Sequence, residues 1–551
     1  MKNAKKLISL IMVIAMLFCL AACGNGGSGK NSGKHIENLV IGTISKPEDV
    51  NIYSQSGSNG KFEYNQIVDC TLFVLDENNE LAPYFIQSYS ISEDGKELTL
   101  EFPTDKHWHD GEPVTIDDMI FNFEWRRDVL GSSTLKNLTE IRKDADNKIT
   151  LVFSQADAYY LIRSNPITFR LLPKHIWENL TKEDYADYNG EGYQVGCGPY
   201  KLASMDLDAG IVTYEAYPGN NYLGELVVDK ITLKTYADMS ACLMALANGE
   251  IDYMYNYASG VSYTLLDLIK DNDTVDPGRT PYSGNPQATF GMNKPYNQYL
   301  EFRKAVILSI DWDLVRNVFS GEYGQTPGSG VISPSNTGYD DSLWKFYTDR
   351  DEAAKLLDQA GFKDLNGDGF REMPDGTAFT YKVSSQMTAS QQEKFNRTGE
   401  VIVDGLKKIG INASYDTESL SSSEANKAMV TNNEYDLFIG YTTSGVANYR
   451  TAIWYFLNRA VAGSGGYNWG NSLDDETLNN AYRALQSANN DEEYIAAVKN
   501  LQKIMSEELY GFALCWEDYF FPYRTDKYEG LDFFPSIGVI TYKTFYDLKV
   551  K

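Results

Sequence analysis

Histidine and cysteine are scarce in this chain, with four histidines and six cysteines in 551 residues. Cys70, Cys197, Cys242 and Cys515 are widely spaced and match no zinc-ligand pattern, so they read as small buried apolar residues rather than a disulfide framework. Positive charge is also short: 49 Lys and Arg face 76 Asp and Glu, giving a formal charge of −27 that excludes nucleic acid as a partner. Beyond the first 22 residues no apolar run approaches the roughly 18 residues of a membrane-spanning helix. No G-x-S-x-G elbow or H-E-x-x-H helix occurs. The acids are too many to nominate a catalytic pair, so the rival enzyme class, a secreted carbohydrate hydrolase, has no visible machinery. Cys197 in GCGPY lacks a partner histidine in its neighbourhood. No catalytic residue is assigned.

What is present begins with a leader. Lys2, Lys5 and Lys6 precede an apolar run from Leu7, which ends in Leu20-Ala21-Ala22-Cys23. This is the arrangement of a secretory signal over residues 1–22 in which the cysteine after the cut is acylated, so Cys23 is expected to be a lipid anchor. Removal of the leader takes three lysines and no acid, which lowers the formal charge to −30. Residues 23–36 then form a Gly/Ser/Asn tether, whose 24–33 stretch spans roughly 17 Å as a flexible coil. The remaining body exceeds the roughly 250 to 300 residues at which one core stops growing, so two or three domains are expected.

Within the body, YSISEDGKELTLEF reads as a hairpin around Asp94-Gly95, and Ile149, Leu151 and Phe153 alternate along a strand. Thr115 and Asp118 form a capping box ahead of an apolar helix. Further helices are expected up to Asn248-Gly249, from Asp311 to Gly321 with Leu314, Val315 and Val318 on one face, and from Asp349 to Gly361. The order is mixed α/β without a repeat. His107 and His109 in KHWHDG stand two apart beside Asp110 and Glu112, yet no third ligand follows, and Asp110-Gly111 reads as a turn into the helix after Thr115. DLNGDGFREMPD fits a calcium loop, with Asp364, Asn366, Asp368, the Phe370 carbonyl, Glu372 and Asp375 as ligands and Gly369 at the sharp turn. Its last ligand is Asp rather than Glu and no second helix follows. The alternative is an Asx-rich turn; either way the role would be structural, and no other cofactor is required.

Taken in order, LAPYFIQSYSISEDGKELTLEF, HWHDGEPVTIDDMIFNFEW, LLPKHIWENL, GCGPYKL, ALANGEIDYM, FRKAVILSIDWDLVRNVFSGEY, EAAKLLDQAGF, GLKKIGINASYD, YDLFIGY and EELYGFALCWEDYFFPYR resemble the family 5, peptide-type solute-binding proteins of ABC importers. The resemblance runs from about Glu37 to the end. It implies an α/β, two-lobed periplasmic-binding-protein-like fold, class II and large cluster C type, with an extra N-terminal subdomain. Lobe I would combine 37–55, 188–280 and 508–551; the extra subdomain would be 56–187 and lobe II 281–507. Ligand would be enclosed by hinge closure.

The same resemblance implies a monomeric, non-enzymatic, extracytoplasmic receptor. It would be held at the cell membrane by its lipid anchor and would pass peptide to a membrane permease. A nickel or haem cargo is disfavoured by the shortage of histidine. Peptide-binding members place an aspartate for the peptide ammonium in a G-W-x-x-D stretch, whereas this chain has Gly440-Tyr441-Thr442-Thr443-Ser444. Either Glu517 or Asp518 substitutes, or the ligand is an oligosaccharide. Other positions carried over are Ser45, Arg450, Trp516, and Asn468, Trp469 and Asn471 of GYNWGN, whose rings suit stacking on sugars or peptide side chains.

Overall fold

The computed structural model describes residues 35–44, 67–75, 81–132, 134–164, 169–185, 188–256, 260–388, 391–443, 473–531 and 541–551. Cys23, Ser45, Ser444, Arg450, Asn468, Trp469 and Asn471 lie outside them, as does the leader. No helix among the described residues is long and apolar enough to cross a membrane.

Two mixed sheets organise the body. In the first, Leu39–Thr43 lies parallel between Lys230–Thr235 and Tyr253–Met254. Ile211–Ala216 and Tyr200–Asp206 extend one side, and Tyr523–Arg524 and Val275–Asp276 extend the other. In the second, the long strand Arg279–Phe290 pairs antiparallel with Leu437–Thr443, and Tyr381–Ser385 and Ala413–Tyr415 continue outward. Phe438 and Ile439 are both fully buried although they point to opposite faces, as expected of a strand covered on both sides. An antiparallel sheet of Ser88–Ile91, Glu97–Glu101, Lys148–Phe153 and Leu138–Ala145 forms the extra subdomain, with its own core around Leu98, Leu100, Ile149, Leu151 and Phe153.

Local chemistry sets the helix ends. Thr115 accepts from the Asp118 backbone N–H, and Asp118 accepts in return from that of Thr115, so the capping box starts Ile116–Asp128. Asp238, Asp311 and Asp349 cap Met239–Ala247, Trp312–Ser320 and Arg350–Ala360, and glycines with positive φ stop the last two. One face differs from expectation. In Trp312–Ser320 the buried side is Trp312, Val315 and Phe319, while Leu314 is half exposed, because Trp312 and Phe319 are larger and claim the core.

The chain crosses between the sheets twice, at Asp276 to Arg279 and at Phe520 to Tyr523. The crossings are adjacent: Arg279 pairs with Phe520 and Thr280 with Tyr519. The return therefore falls some way beyond residue 508, since Gly511–Ala513 and Glu517–Phe520 both pair with Arg279–Phe290 of the second sheet. Gly278, at φ +60°, makes the first crossing possible, because a Cβ there would stand 2.0 Å from the Phe521 carbonyl oxygen.

Candidate functional site: an interlobe junction with a buried charge network

The two crossing strands form a hinge, and the nominated acids sit on it. The register of Arg279–Phe290 against Glu517–Phe520 slips between Thr280 and Gly284, and Tyr282 in the slip adopts φ +58°, a left-handed conformation unfavourable for an aromatic residue. Asp518 holds that geometry. One carboxylate oxygen accepts from the Tyr282 backbone N–H at 3.0 Å and the other from Arg279 Nε at 2.5 Å. Burial pushes the Asp518 carboxyl above the usual carboxylate range, opposed by the Tyr282 N–H and the Arg279 guanidinium. From the far side Ser333 Oγ donates to the Tyr282 carbonyl at 3.0 Å.

Glu517 is likewise engaged. Its carboxylate accepts from Lys394 Nζ and, at 2.7 Å, from the Tyr441 hydroxyl, which in turn contacts the Tyr519 hydroxyl. The Glu517 side chain is 5% exposed and that of Lys394 24%. Burial is the first cause that holds the Tyr441 phenol well above its ordinary range, and the Glu517 charge adds to it. Tyr441 packs against both the second-lobe core and the first-lobe core, so this network lies where the lobes meet. Tyr441, Glu517 and Asp518 are thus brought together. Trp516 is buried at 2% exposure, and its backbone exchanges two hydrogen bonds with that of Gln325. Lys394, Arg279, Tyr282 and Tyr519 were not foreseen, since nothing in the sequence couples positions so far apart.

Away from the hinge, the extra subdomain reaches the second lobe directly. Tyr159 and Tyr160 of the helix Ala158–Ser164 belong to the second-lobe core cluster. The Tyr159 hydroxyl donates to Asp491 at the start of Asp491–Glu508, its ring stands edge-on to Tyr494 at 5.9 Å, and the Tyr160 and Tyr482 hydroxyls meet at 3.2 Å. Arg163 adds an ion pair to Asp491 at 3.9 Å. The lobes and the extra subdomain are therefore in contact at the hinge and away from it.

The calcium proposal is corrected by the geometry of its loop. Asn366 points an amide N–H, not its oxygen, at Glu372 Oε1 (2.6 Å), and Leu365 N–H fills Glu372 Oε2 (2.7 Å). Asp364 accepts from Gly367 and Gly369, Asp368 from Phe370, and Asp375 from Thr377. No group of three or more His, Cys, Asp or Glu suited to a metal occurs among the described residues. Asp364, Asn366, Asp368, Phe370, Glu372 and Asp375 form an Asx-rich turn with a donor where a cation would need an acceptor. His109 is similarly occupied: its Nδ1 accepts from Gly196 N–H at 3.3 Å, so the proton lies on Nε2, 2.9 Å from the Gly198 carbonyl.

Two α/β lobes joined by paired crossing strands, with polar groups buried at the junction, define a class of hinge-closing ligand-capture proteins. The particular family follows from comparison: residues 80–464 match the bacterial extracellular solute-binding proteins, family 5 middle, and the chain belongs to that family. Among relatives, the oligopeptide-binding protein AppA of Bacillus subtilis is 24% identical over 440 residues, 74% of this chain and 75% of AppA. A periplasmic oligopeptide-binding protein of Thermotoga maritima superposes with TM-score 0.78 at 22% identity, covering 94% of this chain and 99% of that one. The same protein has been solved with mannohexaose bound, at TM-score 0.70. AppA of B. subtilis in complex with a nonapeptide superposes with TM-score 0.70 at 19% identity, covering 93% of this chain and 99% of that one. The family is one of binding components of ABC importers.

Proposed function

We propose that this protein is the lipid-anchored, extracytoplasmic receptor of an ABC importer, tethered through Cys23, which encloses a peptide between its lobes as a monomer and delivers it to a membrane permease. The observation that carries the reading is the pair of adjacent crossing strands with Asp518 bracing Tyr282, inside a chain of the family whose relatives include oligopeptide-binding proteins. Closure about such a hinge is stabilised by whatever the ligand touches in both lobes. Tyr441 is proposed to lie at the cleft floor, and Ser45, Ser444, Arg450, Asn468, Trp469 and Asn471 are proposed as further ligand contacts.

Glu517 already carries the Lys394 ammonium, and Asp518 the Arg279 guanidinium. A peptide ammonium using Glu517 would have to join or displace Lys394. That favours keeping a second reading, an oligosaccharide ligand, to which the mannohexaose complex of the T. maritima relative adds support. Calorimetric titration with a free-amine peptide, its N-acetylated form and mannohexaose separates the two. A peptide receptor using Glu517 loses more affinity for the free-amine form than for the acetylated form in Glu517→Ala. Binding of mannohexaose with no response to either peptide would overturn the peptide reading.

A further inference from the structure

The Gly196-Cys197-Gly198 stretch has no part in ligand capture as described above. It is nevertheless one of the closest backbone approaches in the molecule. Gly198 N–H donates to the Val68 carbonyl at 2.7 Å, and a Cβ on Gly198 or Gly196 would stand 2.4 or 2.5 Å from that same oxygen. Only glycines let the two segments touch, and the cysteine between them faces the segment that holds Cys70. The approach is locked from several sides. His109 binds both glycines, while Asn220 Nδ2 and the Tyr222 hydroxyl donate to the Cys197 carbonyl at 3.0 and 2.6 Å. On the other side Leu171 N–H fixes the Cys70 carbonyl at 3.1 Å. Both cysteines are free thiols here, fully buried in one apolar cluster, and the Cys70 thiol donates to the Thr71 carbonyl at 3.8 Å.

We propose that Cys70 and Cys197 form a disulfide when the chain folds in an oxidising extracytoplasmic compartment, closing a loop from residue 70 to residue 197 that fastens the extra subdomain to the first lobe. The oxidant is a protein or glutathione disulfide. One cysteine thiolate attacks it, forming a mixed disulfide and expelling one thiol. The second thiolate then attacks the mixed disulfide, expelling the other thiol, so two cysteine thiols and one disulfide become one protein disulfide and two thiols. The Gly198–Val68 hydrogen bond holds the two cysteine segments together and both side chains enter one cluster, which is the proximity that an S–S bond of about 2 Å requires. Burial pushes the Cys197 thiol up, which suppresses the thiolate once the fold is complete, so the bond forms during folding. The family's extracellular setting supplies the compartment in which such bonds persist. Cys242 and Cys515 lie in two other clusters and serve as internal controls.

The test is independent of the ligand. The full chain, exported to a bacterial periplasm, is denatured in N-ethylmaleimide without reductant and mapped by peptide mass spectrometry. The expected result is a cross-linked peptide pair carrying Cys70 and Cys197, lost on reduction, with Cys242 and Cys515 alkylated. The melting temperature should also fall by at least about 3 °C when reductant is added. The Cys70→Ala/Cys197→Ala double variant should lose that sensitivity. Full alkylation of Cys70 and Cys197 before reduction would overturn the proposal.

Discussion

Replacing Tyr159 by phenylalanine removes one hydroxyl and leaves the ring against Tyr494. The hydroxyl donates to Asp491, a charge-assisted bond between the extra subdomain and the second lobe. Such bonds contribute about 1.5–3 kcal/mol when dry. The Asp491 side chain is 72% exposed, so water competes and the contribution falls to about 1 kcal/mol. On the proposed hinge closure this contact breaks when the lobes open, so its loss falls on the closed state. Ligand affinity should weaken about fivefold, chiefly through faster dissociation, with association little changed. Stopped-flow measurement with a ligand identified from the purified protein gives both rates. Asp491→Asn should act in the same direction, and the double variant should show a coupling energy near 1 kcal/mol. An unchanged dissociation rate in Tyr159→Phe would refute the reasoning: the contact would then persist in the open protein or be worth nothing in water.

Burial pushes His109 down to about 4, against an ordinary value of 6.5. The unfolded chain therefore takes up a proton that the folded one refuses, and stability should decline from about pH 7 to pH 4 by up to roughly 3 kcal/mol; His109→Gln, compared with wild type by urea titration across that window, should flatten the decline. Lys394→Met should destabilise the fold by about 3 kcal/mol, since it strands the Glu517 carboxylate without its cation; Lys394→Met/Glu517→Gln should recover most of this, and equal midpoints in all three proteins would count against a buried pair. Calcium addition or chelation should leave the melting temperature unmoved, whereas Asp364→Ala should lower stability by about 1 kcal/mol through the loss of its two turn hydrogen bonds; a rise in melting temperature with calcium would restore the metal reading.

Much of the local structure was legible because it is decided by neighbours in sequence. The Thr115/Asp118 capping box, the Asp94-Gly95 hairpin and the Asp349 to Gly361 helix each depend on residues a few positions apart. Even there, the helix after Asp311 turned its face by one position, because Trp312 and Phe319 outcompete Leu314 for the core. The hinge was less legible. Residues 508–520 carry apolar strands that suit either sheet, and only long-range pairing with Arg279–Phe290 assigns them to the second. The acids Glu517 and Asp518 could be nominated from the lack of a carboxylate in the Gly440 to Ser444 stretch. Their cations, Lys394 and Arg279, could not, since ion pairs spanning more than a hundred residues leave no periodic trace. The calcium-like spacing from Asp364 to Asp375 shows the converse case, in which a matching pattern is spent on backbone turns.

Ligand capture is tested most directly by native mass spectrometry of the protein purified from a rich medium without unfolding. A peptide receptor should carry bound masses that fragment into amino-acid residues. Protein that emerges bare, stays bare with peptides, and gains mass in hexose steps when offered oligosaccharides would contradict it.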